Sequence, residues 1–383
     1  MEIKNNNNSE YVEPLIVRYL HSRATRYDKC VSSTFEITSR CNFKCKMCYV
    51  HSEDCNCHAD EELSFEQWES VADQALDAGI VFVLITGGEP LIRNDFSAIY
   101  EMLIKKGFVV SVNSNLSLVT EEHIKLFKKY PPSRINASLY GVSDETYQNL
   151  CGVPAYSKVE KVIDKLKESG IPVKINSSIT PFNCQDIDGI ISFCNQKQLN
   201  LQTASYMFPS ARLSVGRERF VPERAAFYKV LLDLKQLDRQ KFLDRAEKVK
   251  RGIEYVQSGS CIDPEIKNTG VRCRAGSSSI WIDYKGNMSI CGMVPADENN
   301  NILRRGFTEC YKSVKESTKA IVLPEKCSEC KYKYICNVCA ASCYSETNAF
   351  DKVPTYLCEM SEYIDRYYDE FSKKVKDGEF DED

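Results

Sequence analysis

Three things are missing from this sequence of 383 residues: a surplus of charge of one sign, a long apolar run, and an apolar N-terminal segment. Fifty basic residues face 54 acidic ones, a formal balance of −4, so nothing draws the chain to nucleic acid. The longest apolar run, Ile80 to Ile85, has the length of a buried strand and falls far short of a membrane span. Met1-Glu2-Ile3-Lys4 leads into four asparagines, without an apolar core or a cleavage site, so no signal peptide is read there. The expected location is cytoplasmic, with neither nucleic acid nor membrane as a partner.

Cysteine is what the chain has in quantity, 19 residues of it. Disulfide-rich scaffolds are small and secreted; in a cytoplasmic chain of this size the same thiols point to metal or clusters. The length favours one large domain and one smaller one, and 43% apolar with 27% charged residues is ordinary for a globular protein.

The most informative stretch is Cys41-Asn42-Phe43-Lys44-Cys45-Lys46-Met47-Cys48-Tyr49, a C-x3-C-x2-C spacing directly after the alternating run Thr34 to Thr38. A loop leaving a strand can wrap its thiols around one point, which a helix or strand cannot. Three thiolates are one short of closing a tetrahedral zinc site or of ligating all four irons of a cubane cluster. A cubane held this way keeps one iron open; a structural zinc knuckle is the competing reading.

Strand and helix patterns alternate through the next stretch. Ser64 and Gln67 form a capping box for a helix whose apolar face is Phe65, Trp68, Val71, Ala75 and Leu76, closed by Gly79. Val81–Ile85 is an apolar strand. Further strands are expected at Phe108–Val112, Arg134–Leu139, Val173–Ile179 and Leu199–Ser205, with helices between. Six strands separated by helices predict an α/β fold, a partial (β/α)6 TIM-like barrel with its chemistry at the C-terminal strand ends. The expected organisation is an N-terminal extension over 1–33, the barrel over 34–205 and a helical bridge over 206–260. A smaller cysteine-rich domain follows over 261–358, then a helix and acidic tail over 359–383. Within the cysteine-rich part, Ile280–Asp283 and Met288–Ile290 flank a Lys285-Gly286 turn and read as a hairpin.

The loop Cys41–Tyr49, with an aromatic after its third cysteine, resembles the cluster loop of the radical S-adenosylmethionine (SAM) superfamily. That resemblance implies a [4Fe–4S] cluster on Cys41, Cys45 and Cys48 whose open iron chelates SAM, and a 5′-deoxyadenosyl radical released on reduction. Gly87-Gly88-Glu89-Pro90, after the next strand, resembles the family's motif for the amino group of SAM; glycines let backbone approach a ligand and a carboxylate accepts from an ammonium. Asn113-Ser114-Asn115 resembles a Thr-Asn-Gly segment near SAM, and Ser138-Leu139-Tyr140-Gly141 resembles Ser-Leu-Asp-Gly, with Ser138 expected near the SAM ribose or carboxylate. Tyr140 stands where an aspartate is usual. Relatives use an arginine shortly afterwards against the SAM carboxylate; none occurs here between Leu139 and Ser157, which leaves Lys174 or Ser178 as substitutes.

Cys273, Cys291, then Cys327-x2-Cys330-x5-Cys336-x2-Cys339-x3-Cys343, and finally Cys358 resemble the SPASM extension of radical SAM enzymes, which carries two auxiliary [4Fe–4S] clusters. The resemblance implies one cluster on Cys327, Cys330, Cys336 and Cys358, and another on Cys273, Cys291 and Cys339. Cys343, Cys261 or an open iron competes for the eighth position, and a zinc ribbon would use similar pairs. Cys30, Cys151, Cys184, Cys194 and Cys310 read as buried fillers, while Cys55 and Cys57 are candidate exposed thiols.

Relatives with this layout modify peptides. The expectation is an oxidoreductase, a maturase installing a thioether, C–C or C–O cross-link in a ribosomally made precursor peptide, with three [4Fe–4S] clusters and SAM. A separate leader-recognition protein and a flavodoxin or ferredoxin electron donor are the expected partners. The alternatives are an anaerobic sulfatase-maturing enzyme forming formylglycine, and a non-catalytic iron–sulfur or zinc-binding protein.

Overall fold

The computed structural model describes residues 13–49, 59–209, 220–258, 271, 273–336 and 338–379. Helix α1 (Leu15–Arg26) precedes β1 (Ser32–Glu36). Then come α2 (Phe65–Asp77), β2 (Phe82–Thr86), α3 (Phe96–Lys105), β3 (Val109–Ser114), α4 (Glu121–Lys129) and β4 (Arg134–Ser138). The series continues with α5 (Asp144–Cys151), α6 (Tyr156–Glu168), β5 (Val173–Ser178), α7 (Ile187–Gln196) and β6 (Asn200–Ala204). After α8 (Pro222–Gln236) and α9 (Arg239–Gln257) lie β7 (Ser279–Ile282), β8 (Met288–Ser289), α10 (Ile302–Arg305), α11 (Phe307–Lys319), α12 (Ala340–Thr347) and α13 (Thr355–Lys376). Among the described residues no helix is long and apolar enough to cross a membrane.

β1 to β6 form the expected parallel array in sequential order. Its convex face is apolar: Phe35, Ile85, Val112, Ile135 and Val173 stand in one register row, and Phe35 stacks on Trp68 of α2 at 5.2 Å. That row packs under the helices and makes the core. The side chains one position further along turn to the concave face, because pleating alternates them. There Glu36, Thr86, Asn113, Asn136, Lys174 and Asn200 form a polar row. Asn136 donates to Asn113 at 2.8 Å and Asn113 to Thr86 at 3.3 Å.

The capping box at Ser64 and Gln67 is present, but Leu76 is 42% exposed and the buried stripe of α2 runs Trp68, Val71, Ala72, Ala75. The cysteine-rich part departs more from expectation. Its hairpin is not a separate unit: β7 pairs in parallel with β1, so the sheet has eight strands in the order β6-β5-β4-β3-β2-β1-β7-β8. Trp281 of β7 turns to the concave side and donates Nε1–H to Glu36 Oε2 at 2.9 Å, with Glu36 fully buried. The last helix also begins earlier than its pattern suggested. It starts after Pro354, which places Cys358 in its first turn.

Trp281→Phe removes the donor to a buried carboxylate and lowers stability by about 1.5–3 kcal/mol, read as a drop in urea midpoint. An unchanged midpoint would mean that the hairpin unfolds apart from the barrel.

Candidate functional site

The loop after β1 is held by the residues between its cysteines. Phe43 and Met47 are buried, Phe43 meeting Tyr147 of α5 edge-on at 6.4 Å. Lys44 N–H donates to the Cys151 carbonyl at 2.8 Å and Lys46 N–H to the Leu150 carbonyl at 2.9 Å. Pinned in this way, Cys41, Cys45, Cys48 and Tyr49 are left half-buried at the C-terminal end of the sheet. Burial pushes the Cys41 thiol well up, and Glu89, Cys45 and Cys48 push it the same way. A lone thiolate is unfavourable there, and a bound cationic centre is what would deprotonate it.

Gly87 and Gly88 lie close against the cysteine loop. A Cβ on Gly87 would lie 2.5 Å from the Thr38 carbonyl oxygen, and one on Gly88 closer still to that of Arg40. Gly88 N–H donates to Thr38 and Glu89 N–H to Arg40, at 3.0 and 2.8 Å. The glycines therefore let the loop after β2, ending at buried Pro90, press on the cysteine loop itself.

The Glu89 carboxylate is turned into the protein. It is fully buried; Oε1 accepts from Leu91 N–H at 3.2 Å and Ser114 Oγ at 2.9 Å, and Oε2 from Asn115 N–H at 2.6 Å. Burial pushes its pKa up to about 7, against those three bonds. Asn115 then donates to Asn42 Oδ1 at 3.0 Å and reaches Cys41 Sγ at 3.9 Å. Glu89 is the centre of a knot: it ties the loops after β2 and β3 to each other, and Asn115 ties them to the cysteines. Ser114 was not singled out by motif; its place between two motif asparagines was the available signal.

Behind this knot lies an ion-pair network that no motif announces. Arg93 is buried, bidentate to Asp95 at 2.7–2.8 Å, and donates to the carbonyls of Ile37 and Leu63 at 3.0 Å. Arg40 is bidentate to Glu62 at 2.9 Å, and Arg93 reaches the same carboxylate at 3.3 Å. An arginine following Pro90-Leu91-Ile92 was the hint in the sequence.

On the concave side Ser138 pairs in register with Asn176, and its hydroxyl lies 3.4 Å from the Tyr140 hydroxyl. Lys174 stands one step below, opposite Asn136, with its ammonium on the Gln202 amide. Ser178 ends β5 opposite Ala204. Lys174 and Ser178 are thus on the concave side with Ser138, and Lys174 is hydrogen-bonded to Gln202.

In the C-terminal part Cys327, Cys330, Cys336 and Cys358 line one small cavity of about 40 Å³. Among the described residues no three His, Cys, Asp or Glu side chains are arranged to hold a single metal ion. Burial pushes Cys358 up to about 11, with Cys336, Cys327 and Cys330 adding to it. Burial likewise pushes Cys291 up to about 11, with Cys339 and Cys273 adding. Cys343 is fully buried and lies between the sets, pushed up to about 12 by burial and by Cys327, Cys339, Glu346 and Cys336. Cys261, Cys55 and Cys57 lie outside the described residues. Cys30, Cys151, Cys194 and Cys310 are buried and Cys184 partly so.

Glu89→Gln is nearly isosteric but brings an NH2 group to a point where three donors already converge. It costs about 1–3 kcal/mol, and a thermal melt equal to that of the native chain would remove the knot from the description. Stripping iron–sulfur centres should speed hydrogen exchange over 324–354 first, while β7 stays as protected as β1; loss of β7 protection together with that segment would contradict the shared sheet.

Residues 35–194 match the family model described as the radical SAM superfamily. AdoMet-dependent heme synthase of Nitratidesulfovibrio vulgaris is 23% identical over 82% of this chain and 89% of its own length. The subtilosin biosynthesis protein AlbA of Bacillus subtilis is 28% identical over 74% of this chain, which spans only 58% of AlbA. Among solved structures, anSMEcpe with bound AdoMet aligns over 90% of this chain and 99% of its own, at 18% identity and a TM-score of 0.65. Streptococcus suis SuiB bound to its precursor peptide SuiA aligns over 94% and 84%, at 16% identity and a TM-score of 0.62. The fold is shared through the cysteine-rich half as well as the barrel. With its three-cysteine loop set at the end of β1 and tied to the glycine loop after β2, the chain is an enzyme whose barrel, residues 35–194, belongs to the radical SAM superfamily.

Proposed function

We propose that this chain is a peptide maturase that installs a cross-link in a ribosomally made peptide. The observation that carries this reading is the concave face. Where the strands end, it offers amides and hydroxyls in two successive rows (Thr86, Asn113 and Asn136, then Ser138, Asn176 and Gln202), with the Asn176 Oδ1 buried and without a hydrogen-bond partner. A ladder of donors and acceptors suits a substrate that itself carries N–H and C=O groups at regular intervals. AlbA, named for subtilosin biosynthesis, and SuiB, seen with its precursor peptide, support the same reading.

Cys41, Cys45 and Cys48 would hold a [4Fe–4S] cluster, which together with SAM would supply radical chemistry for hydrogen-atom abstraction. The chain's own residues arrange the surroundings. Asn115 fixes the Cys41 end of the loop; Gly87 and Gly88 bring backbone to the same corner; Ser138 and Ser178 offer hydroxyls on the concave face. Tyr140, partly buried, sets its hydroxyl 3.4 Å from that of Ser138. Cys327, Cys330, Cys336 and Cys358, and Cys273, Cys291 and Cys339 with Cys343 between the two sets, would hold two further clusters, which would supply electron-accepting chemistry. A reduced flavodoxin or ferredoxin fits as donor to the first cluster.

Two other products would redirect the reading. Formylglycine in a sulfatase would make the chain a sulfatase maturase, the architecture of anSMEcpe being equally compatible. A modified porphyrin would follow the heme synthase similarity.

Cys41→Ala/Cys45→Ala/Cys48→Ala should abolish 5′-deoxyadenosine formation while iron bound to the C-terminal thiols remains. Co-expression with the native substrate peptide should remove two hydrogens per cross-link by mass spectrometry. Continued SAM cleavage by the triple variant would sink the assignment.

A further inference from the structure

The sheet has one open margin. Among the described residues no strand pairs with the outer edge of β6. The Ala204 carbonyl accepts from Ile179 N–H on the β5 side at 2.8 Å, so the alternate residues Leu201 and Thr203 present their N–H and C=O groups outward. Proteins usually cover or blunt such an edge. Here a groove runs along it instead.

The groove begins at the β6 edge, beside Lys174 and Gln202, in a cavity of about 430 Å³ walled by residues 199–205 and by α7, α8 and α9. It opens past Thr203–Ser205 into a second cavity of about 990 Å³, between α9, α13 and the cysteine-rich loops. The floor of this second part is apolar, with Val249, Leu357, Met360 and Ile364 all buried. At its mouth Tyr255 and Tyr334 are about half exposed, their rings 6.1 Å apart. The walls are basic: Lys174, Lys229, Arg245, Lys248 and Arg251 line the two parts, with Asp233 the one carboxylate in the lining and Glu247 beside it taking Arg251 at 2.9 Å. Asp233 is buried and already takes Lys229, the Tyr368 hydroxyl and, at 2.9 Å, Arg245. No partner for Lys248 is found among the described residues.

We infer that this groove binds an extended, acidic segment of the substrate peptide as an added strand on β6. The edge supplies main-chain hydrogen bonds, the apolar floor takes alternate side chains, and the basic wall takes carboxylates from the others. The segment would enter the concave side past Gln202, which delivers the chain that follows it to the cofactor corner. This inference rests on the peptide-maturase reading for its occupant, but its geometry is independent of the cluster.

A short fluorescein-labelled peptide of alternating Glu and Val is the probe, added to the full-length holoenzyme and followed by anisotropy and hydrogen exchange. Binding should be saturable, absent for the Lys–Val counterpart, and accompanied by slowed exchange over 200–205. Lys248→Glu/Arg251→Glu should weaken it by on the order of tenfold, with peptide-independent SAM cleavage unchanged as the check on folding. Lys248→Gln/Arg251→Gln should weaken it less. The Cys41→Ala/Cys45→Ala/Cys48→Ala variant should still bind the probe, so a failed radical SAM assignment and a failed groove assignment give different results. Equal affinity for both probes, indifference to charge reversal, unaltered exchange over 200–205, or easier displacement by a single-stranded oligonucleotide than by unlabelled peptide would each overturn the groove assignment.

Discussion

A buried carboxylate with three converging donors holds this active site in shape. Glu89 draws the loop after β2 and the loop after β3 onto one point, and Asn115 carries the connection to Asn42 and Cys41. In a region sheltered from water each of these bonds is expensive to leave unmade. The three loops therefore keep one mutual geometry before any cofactor arrives. Glycines at 87 and 88 are the steric condition for this, because any side chain there would strike the backbone of the cysteine loop.

The second constraint is continuity of the sheet. The hairpin β7–β8 leaves the cysteine-rich part and attaches to β1, the strand that launches the cluster loop. Trp281 and Glu36 lock that seam from the concave side. Cys291 follows the hairpin by a few residues and Cys273 precedes it, so one thiol group is indexed to the barrel through hydrogen-bonded backbone. The other group hangs from α13, whose Cys358 lies in a helix that packs on α8 and α9.

Much of the fold was legible because its signals are local. The start of α2 follows from its capping box and the alternation of strand and helix from periodicity, and the glycine and cysteine motifs sit at strand ends, where a parallel array must put them. What was hidden is what depends on partners distant in sequence. Nothing in Ile280–Asp283 says that the strand it forms will pair with residues 32–35. No local rule turns the Glu89 carboxylate inward, since its donors come from residues 25 or 26 positions away as well as from Leu91. Arg93 and Glu62 are charged residues that composition assigns to the surface, and only mutual pairing makes their burial tolerable.

The pleat of the sheet has a consequence for how such an enzyme can diverge. Side chains of one parity (Phe35, Ile85, Val112, Ile135, Val173) are committed to the helices, and those of the other parity (Glu36, Thr86, Asn113, Asn136, Lys174) face the space where a substrate would lie. Folding energy and molecular selectivity are thereby written on opposite surfaces of the same strands. Exchanging residues on the hollow side alters what is admitted while leaving the hydrophobic layer that holds the scaffold together untouched.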